Sequence, residues 1–139
     1  MTHRLGIDLG GTKIEAIIID EQFQVIKRER VATKREEGYA AILGRIVKLA
    51  KFIIKDVHNL ESPIGICTPG TIESETGLLK NSNTVCLIGK PIQKDMEKNL
   101  GIPVVMENDA NCFALAEATI GAAKKYKVVF GVILGTGCG

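Results

Sequence analysis

The chain has 139 residues, 45% of them hydrophobic and 24% charged. That composition excludes a disordered tail, a collagen-like chain and a coiled coil, and it allows one domain with a proper core. Eighteen basic against sixteen acidic residues leave a net charge of +2, and Trp is absent, so neither a nucleic-acid footprint nor a base-stacking platform is expected.

The longest apolar runs, such as Ala16 to Ile19, fall far short of the ~20 residues of a membrane span. Met1-Thr2-His3-Arg4 passes directly into a strand-like run without a signal-peptide core, and a cytoplasmic protein with no membrane partner is expected. Leu5 to Leu9 alternates into Gly10-Gly11-Thr12. Ile14 to Ile19 is a β-branched run, and Phe23 to Val31 alternates again beyond Asp20-Glu21. Three strands with short turns predict an antiparallel meander. The period then changes: Ile42, Ile46, Leu49, Ile53 and Val57 form the seam of an amphipathic helix, and Arg45, Lys48, Lys51 and Lys55 lie on its solvated face. Pro63 to Cys67 reads as a short buried strand ending in the Thr68-Pro69-Gly70 turn, and Thr71 to Lys80 as a small hairpin around Thr76-Gly77. Pro91 opens a helix that Gly101 stops. Ile102 to Met106 is the next strand, Asp109 to Ile120 an alanine-rich, tightly packing helix, and Val128 to Leu134 a last strand leading into Gly135. Strands alternating with helices after an opening meander give an α/β architecture.

Cys67, Cys86, Cys112 and Cys138 form no C-x-x-C pair, and the histidines are His3 and His58. Zinc needs closely spaced ligands, so reduced, mostly buried thiols are expected. One pattern recurs: Gly6-Ile7-Asp8-Leu9-Gly10-Gly11-Thr12 and Gly131-Val132-Ile133-Leu134-Gly135-Thr136-Gly137 share G-[IV]-x-L-G followed by Thr and Gly. Two such turns at strand ends could hold phosphates from both sides.

Gly10-Gly11-Thr12-Lys13 can offer successive backbone N–H groups to an anion, since glycines allow positive φ and close approach, with a hydroxyl and a cation added. A plain hairpin turn fits the same residues. The segment is not a Walker A loop, and strand rather than helix follows, so it is no dinucleotide fingerprint. Asp8 interrupts an apolar strand just before this turn, where it would hold a hydrated magnesium ion or bond to the turn itself. In Glu107-Asn108-Asp109-Ala110-Asn111, Asp109 stands at or beside a helix N-cap and also at the carboxyl end of a strand. Capping and general-base roles are both open to it. Asn81-Ser82-Asn83-Thr84 and the Thr68-Pro69-Gly70 turn cluster hydroxyls and amides suited to a polyol, or simply form loops.

Taken in order, "GIDLGGTKIEA" at 6–16, "GICTPG" at 65–70, "LKNSNT" at 79–84, "ENDANCFALAE" at 107–117 and "GVILGTGCG" at 131–139 resemble the ROK sugar kinases of the actin/hexokinase-like ATPase superfamily. The wording is most similar to the fructokinase/mannokinase branch, with N-acetylglucosamine kinases and glucokinases next. The resemblance implies ATP- and magnesium-dependent phosphorylation of a hexose hydroxyl, usually at C6, by a homo-oligomer, a dimer. It makes Asp109 the catalytic base and assigns Asn108, Asp109, Gly70, Asn81 and Ser82 to the sugar. Gly10, Gly11, Thr12 and Lys13 match the first phosphate loop, Gly135, Thr136, Gly137 and Gly139 the second, and Asp8 would hold magnesium through water. The resemblance further implies a small N-terminal lobe over residues 1–123, a mixed sheet with an antiparallel meander plus helices. Residues 124–139 would be the hinge, first strand and second phosphate loop of a larger lobe. Adenine pocket and zinc cluster would lie in that lobe, beyond this chain, and the 139 residues alone are expected to be inactive. A rival reading is the sugar-sensing, non-catalytic domain of a ROK-type transcriptional regulator.

Overall fold

The computed structural model describes residues 1–135. β1 (Arg4–Leu9), β2 (Lys13–Ile19) and β3 (Val25–Ala32) form the expected antiparallel meander. Its first turn closes on a 2.9 Å bond from Gly10 N to Lys13 O. Its second is organised by the buried Asp20, whose Oδ1 accepts from the backbone N–H groups of Gln22 and Gln24. β4 (Ile64–Thr68) and β7 (Val104–Asn108) add in parallel to β1, giving the sheet order β3-β2-β1-β4-β7. β5 (Thr71–Ile72) and β6 (Leu79–Lys80) make the expected small hairpin, with Gly77 at φ 71° in its loop.

Strict alternation gives the sheet two unlike faces. Leu5, Ile7, Ile14, Ile18, Ile64 and Ile66 point to one side and are buried. That side is covered by α1 (Tyr39–Ile54), whose buried residues Ile42, Ile46, Leu49, Ala50 and Ile53 are its apolar seam, and by α2 (Ile92–Leu100), which buries Ile92 and Met96. Val57 lies beyond the end of α1 and packs on the core from the following turn. The Tyr39 hydroxyl donates to Asp95 Oδ2 at 2.5 Å, tying the two helices together. Gly101 ends α2 at φ 68°, its N–H donating to Glu97 O, the left-handed cap that glycine supplies without strain.

Four expectations are corrected. β7 starts at Val104 rather than Ile102, because pairing begins where Pro103 O accepts from Ile64 N and the residues before it are the turn out of α2. α3 (Asp109–Thr119) forms but buries no residue fully, and Phe113 and Leu115 are 41% and 69% exposed. Its apolar residues make no stripe at helical spacing, so it rests on the ends of β4 and β7 without a packed seam. Residues 128–133 form no strand, and Val128 and Phe130 are 89% and 90% exposed, since a β-branched run without a neighbouring strand gains no ladder. Cys67, Cys86 and Cys112 are free, as expected, but half-buried rather than buried. No helix among the described residues is long and apolar enough to cross a membrane.

Candidate active site

Three parallel strands deliver their carboxyl ends to one edge of the sheet: β1 brings Asp8 and the Gly10–Lys13 turn, β4 brings Thr68-Pro69-Gly70, and β7 brings Asn108 and Asp109. Open α/β sheets bind ligands at such an edge. The distant sequence segments are joined there by specific bonds. Asn108 Nδ2 donates to Gly70 O at 2.9 Å, linking the end of β7 to the turn after β4. Gly70 has φ 96°, and a Cβ there would stand 2.4 Å from Lys80 O, so this turn and the start of the Asn81–Thr84 loop leave no room for a side chain. Gly11 faces the same loop, with Thr84 Oγ1 3.5 Å and Asn83 Oδ1 3.9 Å from the position a Cβ would take. The first glycine turn, the Gly70 turn, the 81–84 loop and the start of α3 are therefore neighbours.

Neither Gly10 nor Gly11 adopts the positive φ that glycine allows. Gly10 is needed for close approach instead: a Cβ would lie 2.8 Å from Lys13 O, inside the hydrogen-bonded turn. The turn is anchored by a residue that sequence reasoning missed. Thr33, fully buried just after β3, donates its Oγ1 proton to Gly10 O at 2.7 Å and its N–H to Thr12 O at 2.9 Å. Arg45 Nη1 in turn donates to Thr33 O at 2.9 Å, so this arginine braces the loop rather than belonging to a wholly solvated basic face. No local signal marks Thr33, because its role comes from burial against a turn 23 residues earlier.

At the start of α3, Asn108 is the N-cap. Its Oδ1 accepts from Ala110 N at 3.0 Å, and Asp109 Oδ1 accepts from the same N–H at 2.8 Å. Asp109 is thus the first helical residue, half-buried, with a carboxylate oxygen not engaged in that bond. Glu107 accepts from Asn111 Nδ2 at 2.9 Å and from Asn108 N at 2.7 Å, and these bonds hold its carboxyl below the usual range. In the 81–84 loop Asn81 is exposed at φ 56°, while Ser82 is buried with its Oγ accepting from Thr84 N at 3.1 Å. Ser82 supports the loop from inside, and Asn81 projects from it. Gly135 is exposed, and Thr136, Gly137 and Gly139 lie outside the described residues, as does Cys138.

The strand register sets one residue from each strand in a transverse row on the face away from α1: Arg30, Glu15, Asp8, Cys67 and Glu107. Asp8 is central. Partial desolvation of its carboxylate comes first, then the charges of Asp109 and Glu15, and together they raise its pKa. A carboxylate crowded by two others is a place where a cation is welcome. Among the described residues no three acid, His or Cys side chains converge to cage a metal. The donor set fits magnesium, which takes one or two carboxylates and fills its shell with water and phosphate oxygens. Cys67 in this row and Cys112 line one groove with Asp8, Glu15 and Glu107, and burial pushes both thiols up, which keeps them protonated.

Known proteins share this fold and sequence. N-acetyl-D-glucosamine kinase from Vibrio cholerae is 40% identical over 135 residues, covering 96% of this chain and 44% of that protein. A ROK family glucokinase from Streptomyces griseus, solved in complex with glucose and AMPPNP, superposes with a TM-score of 0.83 at 29% identity, over 99% of this chain and 43% of that one. The ROK hexokinase from Thermus thermophilus gives a TM-score of 0.77 at 32% identity, over 89% of this chain and 41% of that one. The chain spans less than half the length of these relatives. The ROK family model matches residues 4–139, and the chain belongs to the ROK family.

Proposed function

We propose that this chain carries the sugar-binding and first phosphate-binding parts of an ATP-dependent hexose kinase. The observation that supports it is the meeting, at one sheet edge, of Asp109 at the start of α3, the Asn108–Gly70 link and Asp8 beside the Gly10–Lys13 turn. In this reading Asp109 accepts the proton of the attacking sugar hydroxyl. Asn108, the Gly70 turn and Asn81 line the sugar, with Ser82 holding the loop that carries Asn81. Backbone N–H groups of Gly10 to Thr12, the Thr12 hydroxyl and Lys13 hold phosphate, and Gly135, Thr136, Gly137 and Gly139 form the opposing loop. Magnesium, held through water by Asp8, would neutralise charge on the transferring phosphoryl group. Residues 1–123 then form the sugar lobe, and 124–139 lead into the nucleotide lobe.

The acceptor class is a hexose. Motif wording favours fructose or mannose, and the names of the relatives favour N-acetylglucosamine or glucose. A panel of these four sugars with ATP and magnesium, read as sugar-dependent ADP release by the intact enzyme, identifies the acceptor. Asp109→Asn should lower turnover at least ~10²-fold with nucleotide binding retained. Turnover within a few-fold of the parent removes Asp109 as the base. Sugar binding without phosphoryl transfer in the parent itself favours a sensor of the regulator type.

A further inference from the structure

A polar basin of about 270 Å³ lies against the first glycine turn, lined by Asp8, Gly10, Thr12, Lys13, Glu15 and Arg30. Four of these are the phosphate and magnesium residues already named. The other two come from the row across the sheet. Arg30 stands on the edge strand β3 and Glu15 beside it on β2, one strand from Asp8. Arg30 Nε donates to Glu15 Oε2 at 2.6 Å, and its Nη2 pairs with the same oxygen. Arg28 Nη1 approaches the other oxygen, Oε1, at 3.6 Å.

Stability alone does not account for this arrangement. Both arginines are about half exposed, at 56% and 51%, and exposed ion pairs contribute only ~0–1 kcal/mol. Glu15 stands directly opposite Asp8 in the strand register, carboxylate beside carboxylate. An acid set beside the metal-binding carboxylate has an electrostatic cost, and what it does in return is fix a guanidinium at the rim of the basin. Both bonds of Arg30 go to one carboxylate oxygen, so the remaining guanidinium N–H groups are available to an anion. Planar guanidinium donors suit phosphate oxygens.

We propose that Arg30 is a phosphate-binding residue of this basin, oriented by Glu15, and that its ligand is the polyphosphate chain of the nucleotide. The proposal rests on the kinase reading for the identity of the ligand. Lys13, at the start of β2, and Arg30, beside Glu15 on β3, then both reach the phosphates held at the backbone N–H groups of the turn. Arg28, held by the same glutamate but outside the basin lining, serves as the internal control.

Calorimetry with inorganic tripolyphosphate and magnesium, at fixed ionic strength on the full chain, tests this. Arg30→Gln should weaken tripolyphosphate binding about tenfold, the size of one lost charge-assisted hydrogen bond. Arg28→Gln, which removes the same charge, should change it less than twofold, and Glu15→Gln should fall between. Circular dichroism melts of all three should stay within a few degrees of the parent. Equal effects of Arg28→Gln and Arg30→Gln, no effect of Arg30→Gln, or no tripolyphosphate binding by the parent each overturn the assignment. Failure of the kinase reading looks different: tripolyphosphate binds and depends on Arg30, yet no hexose elicits ADP release from the intact enzyme.

Discussion

In the proposed magnesium-binding role, Asp8 is under two opposed demands. Desolvation and the charges of Asp109 and Glu15 favour its protonated form, whereas holding a cation requires the carboxylate. Because its folded pKa is raised, ionised Asp8 reduces stability at neutral pH. That reduction fades as pH falls through the raised value and is gone below the ordinary carboxylate range. Asp8→Asn should therefore leave the protein at least as stable at pH 7, raising Tm by up to about 2–4 °C, the shift from under 1 kcal/mol once solvent screening of this exposed group is allowed for. The difference between variant and parent should vanish in melts near pH 3. Magnesium should no longer strengthen phosphate binding by the variant. A lower Tm at pH 7 together with intact magnesium dependence would show that Asp8 has a purely structural role.

The helices differ in how they are held, and substitution separates them. α1 spends its seam on the sheet: Ile46 is fully buried between β-strand side chains and neighbouring core residues. Ile46→Ala should cost about 2–5 kcal/mol, the lost transfer energy plus a cavity. α3 is held at its start by the Asn108 cap and has no buried residue, with Leu115 69% exposed. Leu115→Ala should stay within about 0.5 kcal/mol in urea melts. The same contrast explains why the period of α1 was readable from Ile42 to Ile53, whereas α3 was recognisable by its cap and composition but not by what it packs against. Its Ala and Asn residues satisfy the helix without naming a partner.

Across the whole molecule, protection from hydrogen exchange should follow the sheet. Amides of β1, β2 and β4 sit in ladders over a buried core and should exchange only through global opening. Residues 127–133 belong to no helix or strand, and Val128 and Phe130 are almost fully exposed. Their amides should exchange at close to unprotected rates. Strong protection there in the isolated chain would mean that this run finds a strand partner in solution.

The sequence by itself determined the local periods, the turns and the motif order. Alternation in Leu5–Leu9, the β-branched run Ile14–Ile19 and the short turns fixed the meander, Gly101 the stop of α2, and Asn108-Asp109 the junction where a carboxylate meets a helix start. These are short-range matters of sterics and side-chain period, and they can be read from neighbours in the chain. The tertiary structure decided which distant residues are brought together. Arg30 and Glu15 join Asp8 through strand register, Thr33 reaches back 23 residues to hold Gly10, and Asn108 bonds to a turn 38 residues earlier. No local pattern encodes such pairs, because their energy comes from register and burial rather than from sequence spacing. The run from Val128 to Leu134 shows the converse. Its composition is that of a strand, but a strand is a property of two segments, and the neighbour it needs is not among the described residues.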